Sequence, residues 1–168
     1  TILPNGVTVG ALVVANPVGS VTVGSSRHFW AAPWEIGDEF GGLGFPSPLP
    51  SNAQKVRLKF RDKSRGLENT TIAVIATDAI LTKAEAKRLA ISAHDGFARA
   101  IWPTHTPADG DLVFALATGN SGKRLALDDA IDHYAAAGAT MARAIARAVY
   151  AATPAANDIF PVWSSRPE

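Results

Sequence analysis

Asn69-Thr70-Thr71-Ile72-Ala73-Val74-Ile75-Ala76-Thr77-Asp78, followed at residues 82–85 by Thr-Lys-Ala-Glu, is the stretch that decides the fold. Its first part is an apolar run rich in β-branched residues, entered through the turn former Gly66 and left at Asp78, and it reads as a buried strand. Its second part is a capping box, in which the Thr82 side chain bonds one orphan amide of a helix and Glu85 reaches back to another. Ala86, Leu89, Ala93, Phe97 and Ile101 then recur at helical spacing, and Pro103 ends the element. An apolar strand feeding an amphipathic helix is the unit of an α/β layered domain, in which helices cover a sheet.

Downstream, residues 112–118 form a third strand candidate, preceded by Asp109-Gly110-Asp111 and followed by Gly119-Asn120-Ser121-Gly122. A long helix is expected from about 127 to 152, with Ile131, Tyr134, Gly138, Met141, Ile145 and Val149 on one face and Pro154 beyond its end. Its excess of alanine allows close packing. Upstream, residues 7–15 read as a buried strand between the Pro4-Asn5-Gly6 turn and Asn16-Pro17, with a shorter strand expected at 20–24. Residues 25–54 are too dense in glycine and proline for a regular element and form a long loop. Its aromatics Phe29, Trp30, Trp34, Phe40 and Phe45 predict that it packs on the domain. Lys55, Arg57, Lys59, Arg61, Lys63 and Arg65 alternate with Val56, Leu58 and Phe60, the period of a strand with one solvated face.

Composition bounds the function. At 168 residues the chain fits one domain, large enough to bury roughly 70% of its unfolded surface. It is 47% hydrophobic and 18% charged, so disorder is excluded. Sixteen basic against fifteen acidic residues give a net charge of +1, the basic ones scattered apart from the modest cluster at 55–65, which argues against nucleic-acid binding. No cysteine is present, so the chemistry runs on oxygen or nitrogen. No apolar run is long enough to span a bilayer and no leader pattern opens the chain, so no membrane partner is expected and the location is read as cytoplasmic. His28, His94, His105 and His133 lack metal-ligand spacing and read as helix or loop residues, and Gly122-Lys123-Arg124 breaks the phosphate-loop pattern. Neither a metal nor a cofactor is expected.

The remaining chemistry lies at Asn69-Thr70, where a hydroxyl occupies the first position of an apolar strand. On pattern alone, Thr70 and Thr71 read equally as β-branched residues starting a strand, Asp109-Gly110-Asp111 as a turn, and Asn16-Pro17 as a turn initiator. Three segments together go further. Residues 69–79, the strand Gly10-Ala11-Leu12-Val13-Val14-Ala15-Asn16, and Ala108-Asp109-Gly110-Asp111 before Phe114-Ala115-Leu116-Ala117-Thr118-Gly119 resemble, in sequence and in their order along the chain, the DmpA-type N-terminal nucleophile peptidases of family S58. Within that family the Asn-Thr junction resembles the nylon-oligomer (6-aminohexanoate oligomer) endohydrolases, because relatives acting on peptides usually carry Gly-Ser there.

The resemblance implies an α/β fold that is part of a four-layer αββα sandwich, and a chain that cleaves itself into two subunits. Residues 1–168 would be a single domain, the C-terminal part of a larger hydrolase. Residues 1–69 would end the α subunit, and residues 70–168 would be the β subunit after autocleavage between Asn69 and Thr70. Carried over by position, the nucleophile is Thr70, a supporting polar residue is Asn16, and an acidic pair behind the nucleophile is Asp109 and Asp111. The family's further lysine or tyrosine, from an upstream strand, has no counterpart among these residues. The implied partners are an oligoamide or peptide substrate, the N-terminal segment of the same protein, and further copies in a homo-oligomer.

The chemistry is coherent with those residue types. A threonine hydroxyl is too weak an acid to attack an amide unaided, and cleavage before Thr70 would supply its own α-amine as base. That amine titrates at roughly pH 8 in model peptides, so a useful fraction is unprotonated at neutral pH. An asparagine amide can donate to a tetrahedral oxyanion, an interaction of about 3 kcal/mol elsewhere. The two carboxylates would orient the amine and hydroxyl, while their charge raises the amine's pKa. Thr1 is a weaker rival nucleophile, because a turn rather than a rigid strand follows it. The expected function is hydrolysis of linear 6-aminohexanoate oligomers. The alternatives are an aminopeptidase or β-aminopeptidase acting on short peptides, and a non-catalytic binding or assembly domain.

Overall fold

Three strands and two long helices make up the regular part of the chain, for which a computed structural model describes residues 1–58, 69–158 and 160–165. The strands are β1 (Val9–Val14), β2 (Ile72–Thr77) and β3 (Leu112–Ala117), and the helices are α1 (Lys83–Ala100) and α2 (Leu127–Tyr150). β2 is central, antiparallel to β1 with Val9 opposite Thr77 and Val14 opposite Ile72, and parallel to β3 with Ile72 beside Leu112. A parallel pair cannot be closed by a tight turn, and α1 supplies the crossover between β2 and β3.

Alternation along the strands fixes what each face does. Val9, Ala73, Ile75 and Thr77 are buried under the helices, with Ala11, Val13, Val113 and Ala115 packed against the same core. The intervening residues Leu12, Val14, Ile72, Phe114 and Leu116 point to the other face and are 45–73% exposed. The described residues therefore form two layers, helices on one face of the sheet and a bare apolar surface on the other.

α1 begins as its sequence requires. Thr82 Oγ1 accepts from Glu85 N at 3.3 Å and Glu85 Oε2 accepts from Thr82 N at 2.6 Å, completing the capping box. The bonds from Thr82 hold the Glu85 carboxyl below its usual value. Leu89, Ala93 and Phe97 are fully buried, as the periodicity predicts. α2 lies against α1 at Gly96, where a Cβ would sit 2.5 Å from Gly138 O and 2.6 Å from Met141 Cβ, so only glycine admits the approach. On α2 the expected face is met at Gly138, Met141 and Ile145, but Ile131 is 59% exposed. The buried stripe enters instead at His133, which the end of β2 covers, its Nε2 lying 3.0 Å from Thr77 Oγ1.

The long loop packs through Phe29 and Phe40, as expected, while Phe45 stays exposed. Phe29 and Phe40 are buried in an edge-to-face pair at 5.3 Å, and Trp163 stacks on Phe29 at 5.7 Å while its Nε1 donates to Arg27 O at 2.9 Å. Glu39 ties the loop to α2 through a two-pronged pair with Arg143, which holds the Glu39 carboxyl below its ordinary range. Two expectations are corrected. Residues 20–24 form no strand, only isolated bridges from Ser20 to Trp102 and Thr22 to Phe29, because the left-handed Gly24 ends the segment and Ser20 Oγ bonds the Thr22 carbonyl rather than leaving it to a ladder. Lys55–Leu58 lack strand structure where described, and the rest of the basic alternation, residues 59–65, lies outside the described residues.

Candidate active site

β1 runs antiparallel to β2 and β3 runs parallel to it, so the exit of β1 and the entrances of β2 and β3 share one end of the sheet. Asn16 follows β1, Thr70 and Thr71 precede β2, and Asp109 and Asp111 precede β3. All four residues singled out as candidates, with the Asn69-Thr70 junction, meet there. Asn69 bridges Asp109 in the parallel sense, Gly110 N reaches Asn69 O at 3.4 Å, and Leu112 N donates to Thr71 O at 3.1 Å. The register of β2 and β3 continues through the junction and sets Thr70 beside Gly110.

That pairing is close. A Cβ on Gly110 would lie 2.8 Å from Thr70 Oγ1, so the absence of a side chain there leaves room for the hydroxyl. Thr70 is half-buried, Asn69 is buried and Asn16 is exposed. Thr71, which sequence reasoning passed over, is fully buried and touches both neighbours: its Oγ1 accepts from Asn16 N at 3.2 Å, and its N–H donates to Asp111 Oδ1 at 2.7 Å.

The two carboxylates are held differently. Asp109 Oδ2 accepts from Thr106 N at 3.1 Å and Thr106 Oγ1 at 3.0 Å, and its Oδ1 accepts from Val18 N at 3.3 Å. Asp111 has its Oδ2 buried with no hydrogen-bond partner among the described residues. Burial pushes the Asp111 carboxyl up, the Thr71 N–H opposes this, and the Asp109 charge adds to the rise. The turn reading of Asp109-Gly110-Asp111 is thus met in part: Asp109 closes a turn with Thr106, whereas Asp111 faces the start of β2. Thr106 and Thr71 carried no signal of their own, since only the pairing of distant segments reveals them.

Elsewhere, His94 and His133 lie on helices, and His28 and His105 in loops, as read. His105 stacks on Phe97 at 5.9 Å. Thr1 is engaged with α2 through Thr140 Oγ1 at 2.8 Å and Arg143 Nη1 at 3.0 Å. A cleft of about 600 Å³ lies between residues 15–22 and the end of α2, bordered by Pro17, Val18, Val149, Phe160 and Trp163. Among the described residues no group of three His, Asp or Glu side chains converges as a metal site, and no helix is long and apolar enough to cross a membrane.

Residues 1–159 match the family Peptidase_S58, peptidase family S58. The chain belongs to this family. It is 39% identical over 178 aligned positions to an uncharacterised aminopeptidase of Mycobacterium bovis, covering 95% of this chain and 50% of that protein, and matches one from Mycobacterium tuberculosis to the same extent. An uncharacterised aminopeptidase of Mycobacterium leprae is 47% identical over 117 positions, 70% of this chain and 30% of its own. The chain thus spans about half the length or less of the curated relatives it matches. Among solved structures, a Burkholderia sp. β-aminopeptidase superposes with a TM-score of 0.48 at 22% identity, covering 86% of this chain and 37% of that one.

Proposed function

We propose that this S58 chain is the nucleophile-bearing part of an autoprocessing amide hydrolase, with Thr70 as nucleophile, Asn69-Thr70 as the cleaved bond, Asn16 as oxyanion support, and Asp109 and Asp111 as the orienting acidic pair. One observation carries the reading: the Thr70 hydroxyl lies against Gly110, between the two carboxylates in sequence, while Thr71 bonds both Asn16 and Asp111. Thr70 Oγ attacks the Asn69 carbonyl, the peptide C–N bond breaks as an ester forms, and the hydroxyl proton passes to the departing nitrogen. Water then hydrolyses the ester, leaving the Asn69 carboxylate and a Thr70 with free amine and restored hydroxyl. In turnover the amine takes the hydroxyl proton during attack on a substrate amide and returns it to the leaving amine. The buried, unpartnered Asp111 Oδ2 suits the new ammonium group.

The bare apolar sheet face supports a second sheet packed upon it, as in a four-layer αββα sandwich, with residues 1–69 ending one subunit and 70–168 forming the other. The substrate reading follows the relatives, which are named uncharacterised aminopeptidases: removal of the N-terminal residue from short peptides. Hydrolysis of 6-aminohexanoate oligomers is the second reading, favoured by Asn-Thr at the junction. Release of p-nitroaniline from an aminoacyl p-nitroanilide, set against product analysis on a linear 6-aminohexanoate oligomer, separates the two. Turnover of neither, with the Asn69-Thr70 bond intact, would leave the non-catalytic alternative standing.

A further inference from the structure

Thr71 ties the exit of β1 to the entrance of β3, through its side chain on one side and its backbone on the other. Its hydroxyl accepts from the backbone N–H of Asn16 at 3.2 Å, and its own N–H donates to Asp111 Oδ1 at 2.7 Å. Thr71 itself is fully buried, while Asn16 is exposed and Asp111 half-buried, so both bonds are shielded from water on the Thr71 side. The strand register carries no such link by itself, because the β1–β2 ladder ends at Val14 opposite Ile72, two residues short of Asn16. The Asn16 amide would otherwise lose its bond to β2 where the chain turns off into Pro17.

From this geometry we infer that Thr71 is a positioning residue for the proposed reaction: its hydroxyl fixes Asn16 against β2, while its backbone fixes Asp111, so that both stand in register with Thr70. The inference rests on the function proposed above. Thr71 does not touch the reacting atoms; it acts through Asn16 and Asp111. Valine keeps the β-branched shape but removes the acceptor, leaving the Asn16 N–H without its partner. The hydroxyl is also among the groups that favour the ionised Asp111 carboxyl, against the larger upward push of burial. Its loss raises that carboxyl's pKa further.

The test uses the full-length polypeptide with Thr71→Val and Thr71→Ser. Thr71→Val should slow both cleavage at Asn69-Thr70 and turnover per correctly folded molecule, on the order of 10- to 100-fold for a displacement of less than or about 1 Å. Thr71→Ser, which restores the hydroxyl, should recover most of that loss even if its Tm falls. The acid limb of the kcat/KM profile should move to higher pH in Thr71→Val and stay in place in Thr71→Ser. Parental rates and an unmoved acid limb in a folded Thr71→Val protein would overturn the inference, as would a serine variant no faster than the valine one. Should Thr71→Val fail to fold, Thr71→Cys, of similar size but with a weak acceptor, carries the same comparison: slowed cleavage and turnover support the inference, parental rates overturn it. Thr70→Ala run in parallel separates the two levels. If it abolishes cleavage and turnover while the Thr71 variants run at parental rates, the inference fails alone; if it does neither, the proposed function fails as well.

Discussion

Replacing Gly110 with alanine places one methyl group where the structure leaves room for the Thr70 hydroxyl. The new Cβ would stand 2.8 Å from Thr70 Oγ1, with Cγ2 and Cβ of Thr70 at 3.7 and 3.8 Å. Comfortable contact between heavy atoms begins at about 3.5 Å, so the hydroxyl is the atom that must yield. It can twist within its well, at about 0.5–1.5 kcal/mol for a ~30° departure, or rotate to another staggered position. Either movement takes Oγ1 away from the position that the proposed attack on the Asn69 carbonyl starts from. A misplacement of ~1 Å costs on the order of 10²-fold in rate, and that is the slowing expected for cleavage at Asn69-Thr70. The fold should be spared. Gly110 is not among the glycines with positive φ, so alanine fits its backbone and gains about 0.4–1 kcal/mol by restricting the unfolded chain, offsetting much of the strain. Tm should therefore move by only a few degrees, at about 2–4 °C per kcal/mol for a domain of this size. The assay is a time course of intact mass on the full-length Gly110→Ala protein, beside its melting curve. Cleavage at the parental rate would refute the reasoning that the hydroxyl's place beside Gly110 matters.

Three further outcomes follow from buried groups. Asp111 has its pKa raised in the fold by burial, so its ionised form costs stability once pH rises through the unfolded value of about 3.9; Asp111→Asn should leave Tm at neutral pH unchanged or higher while slowing cleavage, and a large fall in Tm would contradict this. His133 has its pKa lowered by burial, so the unfolded chain takes up the proton first and stability should fall as pH drops below about 6.5; His133→Gln should flatten that dependence in denaturant titrations between pH 7 and 5, and an unchanged slope would count against it. Phe97→Ala, emptying a fully buried site between α1 and the loop at His105, should cost about 3–5 kcal/mol, read as a fall in the denaturation midpoint; a loss under 1 kcal/mol would mean that Phe97 is not part of the core.

The elements were legible where local chemistry alone fixes them. The capping box at Thr82 and Glu85 places the start of α1, and the β-branched run at 72–77 places β2, within a residue or two. Ile131 departs from expectation because a helical wheel gives an apolar stripe but not which of its residues the neighbouring elements cover. The segment 20–24 has strand-like residues but no neighbouring strand to pair with, a condition that no local pattern reveals. At the candidate site, Thr70, Asn16, Asp109 and Asp111 are singled out only through a resemblance carried by three separated segments, since each alone is an ordinary turn or strand residue. Thr71 and Thr106 were invisible for a different reason. Their partners lie across strands or in backbone amides, and spacing along the sequence does not encode them.

The most direct test of the account is intact-mass measurement of the purified full-length protein and its Thr70→Ala variant, incubated side by side. Self-cleavage by Thr70 would give two polypeptides from the parent, the second beginning at Thr70 with a free amine, and one uncleaved polypeptide from the variant. A single polypeptide from the parent under conditions where it hydrolyses amides, or cleavage at this bond in Thr70→Ala, would contradict it.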